Sequence, residues 1–139
     1  MLTEDFCSFE VAKLLKEKGF DELCIFKYSS EGVRMKAGVA IDEWQNSELD
    51  DDECSCPSQS MAMKWLREVH LLHVYAEYHS FFQECPKKLY YHWVPFVKPL
   101  PQCKCKRPLN NVFYEIDEYY NSYEEVVEAA CIYALKNLI

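Results

Sequence analysis

Apolar positions near the end of the chain recur every three or four residues. Val127, Ala130, Cys131, Ala134, Leu135 and Leu138 fall on one side of a helix over 122–139, and Glu124, Glu125, Glu128 and Lys136 fall on the other. Ser122 followed three residues on by Glu125 is a capping box, which marks the helix start. The same period appears twice upstream. Ser8 caps a helix running to Lys18, with Val11, Ala12, Leu14 and Leu15 inward and Gly19 as its left-handed stop. Pro57 opens a second helix at its first position, with Gln59 reaching back to the cap. Its stripe is Ala62, Trp65, Leu66 and Val69, and Lys64, Arg67 and Glu68 face out.

Other segments alternate with period two. Over 71–79, Leu72, Val74, Ala76 and Tyr78 share one face of a strand and His73, Tyr75, Glu77 and His79 the other. Residues 89–97 and 112–117 supply two more strands, and Pro95 marks the former as an edge or a bulge. Residues 23–28 and 33–40 flank the turn signal Ser29-Ser30-Glu31-Gly32 and read as a hairpin. Residues 42–53 are acidic and aperiodic and read as loop; 98–108 are proline-rich and read as a long connection. The sum is an α+β protein. Residues 57–139 form an αβββα unit with an antiparallel three-stranded sheet, both helices on one face and the other face open to water. Residues 1–56 add a helix, a hairpin and the acidic loop, and the whole makes one compact domain.

Charge and cysteine content narrow the classes. The 139 residues carry a net charge of −8, which argues against a chain-wide affinity for nucleic acid or anionic membrane. No apolar run approaches the roughly 20 residues that span a bilayer. The opening residues lack the basic and apolar regions of a secretory signal, so a cytoplasmic location with reduced thiols is expected. Of eight cysteines, Cys24 and Cys131 read as small buried hydrophobes. Cys54 and Cys56 with Cys103 and Cys105 would supply four thiolates to zinc. Their spacing is tighter than in the usual zinc pairs, so unligated loop cysteines are the preferred reading.

No nucleophile elbow, phosphate loop or metalloprotease motif is present. The reading is non-enzymatic, with no cofactor. The acidic run Glu48–Glu53 lacks the alternating ligands of a calcium loop and reads as solvated. His73 and His79 are too far apart along their strand for one metal ion; His73 with Glu77 and a cross-strand His92 is geometrically possible but follows no spacing rule, and an exposed half-polar sheet face is the preferred reading. His73, Tyr75, Glu77, Tyr90 and His92 instead offer an aromatic sheet face of the kind that contacts a protein partner or a second copy. The alternative is nucleic acid, held by Lys98, Lys104, Lys106 and Arg107 with nearby rings for stacking.

Two resemblances accompany these readings. The blocks Ser8–Phe20, Cys56–Gln59 with Ala62–His70, and Ser122–Glu125 with Glu128–Ala130 and Asn137–Ile139 resemble a family of small uncharacterised proteins. Gut anaerobes, their phages and their mobile elements encode that family. The resemblance brings no established activity and no catalytic residues with it; the accessory, protein-binding reading rests on the aromatic sheet face and the lack of catalytic motifs. The αβββα order is similar in pattern to double-stranded-RNA-binding domains, whose last helix opens with phosphate-gripping lysines. Here Glu124 and Glu125 stand at that place, and carboxylates there repel RNA.

Overall fold

A computed structural model describes residues 4–39, 42–84, 87–104, 113–114, 120 and 122–139. Three helices, α1 (Phe9–Glu17), α2 (Gln59–Val69) and α3 (Tyr123–Asn137), pack with two antiparallel three-stranded sheets. The first sheet has the order β2-β1-β3, from β1 (Phe26–Tyr28), β2 (Arg34–Lys36) and β3 (Cys54–Ser55). The second has the order β4-β5-β6, from β4 (Leu72–Glu84), β5 (Lys87–Pro99) and β6 (Phe113–Tyr114). No helix among the described residues is long and apolar enough to cross a membrane.

Each helix starts where a serine satisfies an otherwise orphaned amide. The hydroxyls of Ser8, Ser58 and Ser122 accept from the N–H groups of Val11, Met61 and Glu125, each at 3.2 Å. Ser58 rather than Pro57 is therefore the boundary of α2. Pro57 sits just before the cap, and its carbonyl accepts from the Cys7 N–H at 3.0 Å. Gln59 does not fold back on the cap, because its amide is used by α3. Val69, the last residue of α2, is 58% exposed and leaves the apolar stripe. Gly19 ends α1 at a φ of +91°, a conformation that costs glycine little.

The acidic stretch is more structured than its composition suggests. It holds a 3-10 turn over Asn46–Glu48 and leads into β3, which pairs with β1. The buried Asn46 amide organises it by donating to the Phe20 carbonyl at 2.7 Å, while its oxygen accepts from the Ser55 N–H at 2.8 Å. Lys16 donates to the Asp50 and Glu53 carbonyls at 2.6 and 2.7 Å, and Lys27 pairs with the Glu53 carboxylate at 2.8 Å. Cys54 and Cys56 thus lie in a buried strand and its extension rather than in an exposed loop.

Strands β4 and β5 run past each other for thirteen pairs, from Leu72 opposite Pro99 to Glu84 opposite Lys87. This ribbon is longer than the alternating segments that announce it. The Leu100 N–H donates to the Leu71 carbonyl at 2.7 Å, and the Trp93 N–H turns the other way, to the Tyr120 carbonyl at 3.2 Å. Together these bonds fix the alternation of the antiparallel ladder. Odd-numbered residues of β4 bond to β5, and even-numbered ones direct their amides to the outer edge. Pro95 and Pro99 fall opposite Ala76 and Leu72, at pairs that need no proline donor. Pro95 thus sits in the central strand, not an edge, without costing the β4–β5 ladder a bond, because its nitrogen faces the other side of β5.

Helices α2 and α3 cover the sheet face that carries Leu72, Val74 and Val97. The core there joins Cys7, Val11, Leu15, Phe20 and Cys24 to residues of α2, β4, β5 and α3, so both sequence segments, 1–56 and 57–139, feed one core. On the opposite face Val94 and Phe96 are also buried. That face is therefore only partly open, in part because Tyr75 and His79 lay their rings beside Phe96.

Glu128 does not belong to the solvent side of α3. Its Oε1 accepts from the Ser8 N–H at 3.0 Å and from the Gln59 side-chain amide at 3.2 Å. The same Gln59 nitrogen donates to the Glu124 carbonyl at 3.0 Å. One carboxylate therefore ties the positive N-terminal ends of α1 and α2 to the middle of α3. Glu128→Ala is expected to lower unfolding stability by about 2 kcal/mol, the scale of hydrogen bonds to a charged group. Lys136→Ala breaks only the exposed 2.9 Å pair with Glu10 and is expected to shift it by less than about 0.5 kcal/mol. Urea titration of both variants checks this, and equal effects would contradict the role given to Glu128.

Candidate functional site

The β4–β5 ribbon gathers most of the residues singled out from the sequence. On one face the rings form a continuous ladder. His73 stacks on Tyr75 at 5.0 Å, Tyr75 on Phe96 at 5.2 Å, His79 leans on Phe96 at 5.8 Å, and His79 meets His92 edge-on at 6.4 Å. Cross-strand register makes this ladder, since His79 opposes His92 and Tyr75 opposes Phe96. Glu77 Oε2 lies 2.8 Å from His79 Nε2. Tyr90 lies on β5, and its side chain is outside the described residues. Burial and the nearby Arg67 and Lys98 hold His73 below the usual histidine range. Burial with Glu77 raises Tyr75. Both directions favour the neutral form.

The helix-side face continues beyond the helices that cover its inner half. Trp93 is sealed by Tyr78 at 5.0 Å and by Tyr123 of α3 at 5.4 Å. Farther out Phe82 and Leu89 oppose each other, 58% and 48% exposed, and Tyr78 is 57% exposed. Sequence reasoning passed over Phe82 and Leu89. The signal is in the sequence: the alternation begun at Leu72 persists to Phe82, beyond the 71–79 segment. Beside the inner half, an open groove of about 870 Å³ runs along α2, lined by Met61, Met63, Trp65, Val74 and Tyr123 among others.

The remaining candidates are dispersed. Cys54 and Cys56 share one face, as residues two apart on extended chain do, and pack with Ala12 and Tyr28. Cys103 packs against the other core cluster and donates to the His70 carbonyl at 3.3 Å. Cys105 lies outside the described residues, so the four-thiolate set is not brought together among those described. No group of three or more His, Cys, Asp or Glu is placed to hold a metal ion among the described residues. Lys98 and Lys104 are exposed; Lys106 and Arg107 lie outside the described residues.

Burial governs the thiols. Cys24 and Cys54 are each pushed up to about 11, chiefly by desolvation, and Cys7, Cys56 and Cys131 are raised too. A buried neutral thiol is a poor nucleophile and a poor metal ligand. No family model, curated protein or solved structure matches the chain.

Two outcomes follow for the thiols. Cys7, Cys24, Cys54, Cys56 and Cys131, all under 5% exposed, are expected to resist a thiol-specific disulfide reagent until denaturant is added. Because folding raises their pKa, the unfolded chain ionises first. Stability is then full below the ordinary thiol value of 9.0 and falls as pH climbs from there toward about 11. Urea midpoints at pH 7.5 and 10 measure this, and no fall by pH 10 would contradict the burial.

Proposed function

We propose that the protein is a non-catalytic accessory module that binds a protein partner through the β4–β5 ribbon. The observation that carries this reading is the outer half of the ribbon, where Tyr78, Phe82 and Leu89 expose apolar surface on a face buried nearer the body. A two-stranded hairpin is marginal on its own in water. A surface of exposed rings flanked by polar residues is what protein interfaces use. The stacked rings of His73, Tyr75 and Phe96 add a second, more polar side to the same ribbon.

Chemistry elsewhere gives little competition. The thiols of the core are neutral and enclosed, and the unbridged Cys7, Cys24, Cys54, Cys56 and Cys131 suit a reducing, cytoplasmic setting. Glu124 and Glu125 in the first turn of α3 disfavour a polyanion there.

The test is recovery of partners from the native host on immobilised wild-type protein and on a Phe82→Asp, Leu89→Asp variant. Both positions are exposed, so the variant is expected to fold. A stoichiometric protein retained by the wild type and at least about tenfold depleted on the variant is the expected result. Equal retention by both would sink the reading. An RNA or DNA complex that forms at low salt and is abolished by salt would replace it with the nucleic-acid alternative.

A further inference from the structure

We propose that the occupant of the ribbon is a second copy of this chain, joined by antiparallel pairing of β4 with the β4 of the other copy about a two-fold axis at position 78. The inference rests on the ribbon being the contact surface and names what contacts it. Three independent features of β4 lead to that axis.

The first is the direction of the backbone. β4 lies at the edge of its sheet. By the alternation fixed at Leu71–Leu100, the amides of Val74, Ala76, Ser80 and Phe82 point to the outer side. No described residue bonds them there. An exposed edge of this length is a template for another strand. Antiparallel pairing of two identical edges must set even residues opposite even ones, which is satisfied when the axis passes through a residue position.

The second is shape. Phe82 projects from the edge strand four residues beyond position 78, and the groove along α2, where Met61, Met63 and Trp65 are interspersed with Lys64, Arg67 and Glu68, reaches β4 at Val74, four residues before it. Opposed residues share a face, so the axis at 78 lays Phe82 of each copy against Val74 and the groove of the other. Knob and socket thus lie on one strand at equal distances from one point. That is the condition for a closed, isologous contact made twice.

The third is charge. The same axis sets the Glu77–His79 pair of one copy, already joined at 2.8 Å within its own strand, beside the same pair of the other. Residues 72–99 carry three lysines, all on β5 one strand in from the paired edge, and two glutamates, both on β4, in a chain whose net charge is −8. The ribbon is therefore where two copies meet with little of the repulsion that their acidic surfaces impose elsewhere.

Sedimentation equilibrium of the full chain between about 1 and 100 μM tests this across the micromolar range of ordinary dimers. The expected result is a rise to twice the chain mass. Phe82→Asp and, separately, Ser80→Pro are each expected to raise the dissociation constant at least tenfold with an unchanged circular dichroism spectrum. Ser80→Pro removes an outward amide and no β4–β5 bond. A monomer throughout the range overturns the self-pairing, and the ribbon reading stands if Phe82→Asp, Leu89→Asp still abolishes capture of a host protein. A dimer indifferent to both substitutions overturns the self-pairing, and the ribbon reading then stands or falls on host-protein capture by the Phe82→Asp, Leu89→Asp variant.

Discussion

Burial of α3 is the constraint on which the other elements depend. Val126, Val127, Ala130, Cys131, Ala134 and Leu135 are closed off from water, with Leu138 just beyond the helix end. The helix touches α1, α2, β4 and β5. Its small residues allow that: alanines and a cysteine along the stripe let neighbours on several sides approach closely. Glu128 then adds a polar tie where apolar packing alone would leave helix ends unsatisfied, holding the starts of α1 and α2 against one point. One half-buried carboxylate thereby ties the N-terminal segment to α3.

The ribbon follows from the same arrangement. Where α2 and α3 cover it, the β4–β5 face is apolar and closed around Leu72, Val74 and Val97. The strands then run on beyond the helices with the same alternation, and the apolar face emerges into solvent at Tyr78, Phe82 and Leu89. A fold that needed only internal stability would end the strands where the helices end. Continuing them leaves β4 as an edge strand whose charged side chains are Glu77 and Glu84.

Legibility in the sequence tracked how local the causes are. Caps at Ser8 and Ser122 and the α3 stripe were readable because an amide and its acceptor, or residues one turn apart, lie within a few positions. The face alternation of β4 was readable for the same reason. Strand β3 was not, since two residues carry no period and its placement depends on Asn46 bridging to Phe20 and Ser55. Pro95 looked like an edge signal because sequence does not show which side of a strand its missing donor faces. Glu128 looked solvated because its partners, Ser8 and Gln59, are 120 and 69 residues away. Of the candidate site, the rings of the His73–Phe96 ladder lay on strands already recognised, and its outer half was missed with the strand ends.

Backbone hydrogen exchange, read residue by residue, tests the central dependence on α3 most directly. The account predicts that amides of 127–135 exchange last, at a rate set by global unfolding, with those of α2 and the inner ribbon close behind. Exchange of 127–135 as fast as that of the exposed ribbon end near Phe82 would contradict it, because the helix would then be opening without the rest of the fold.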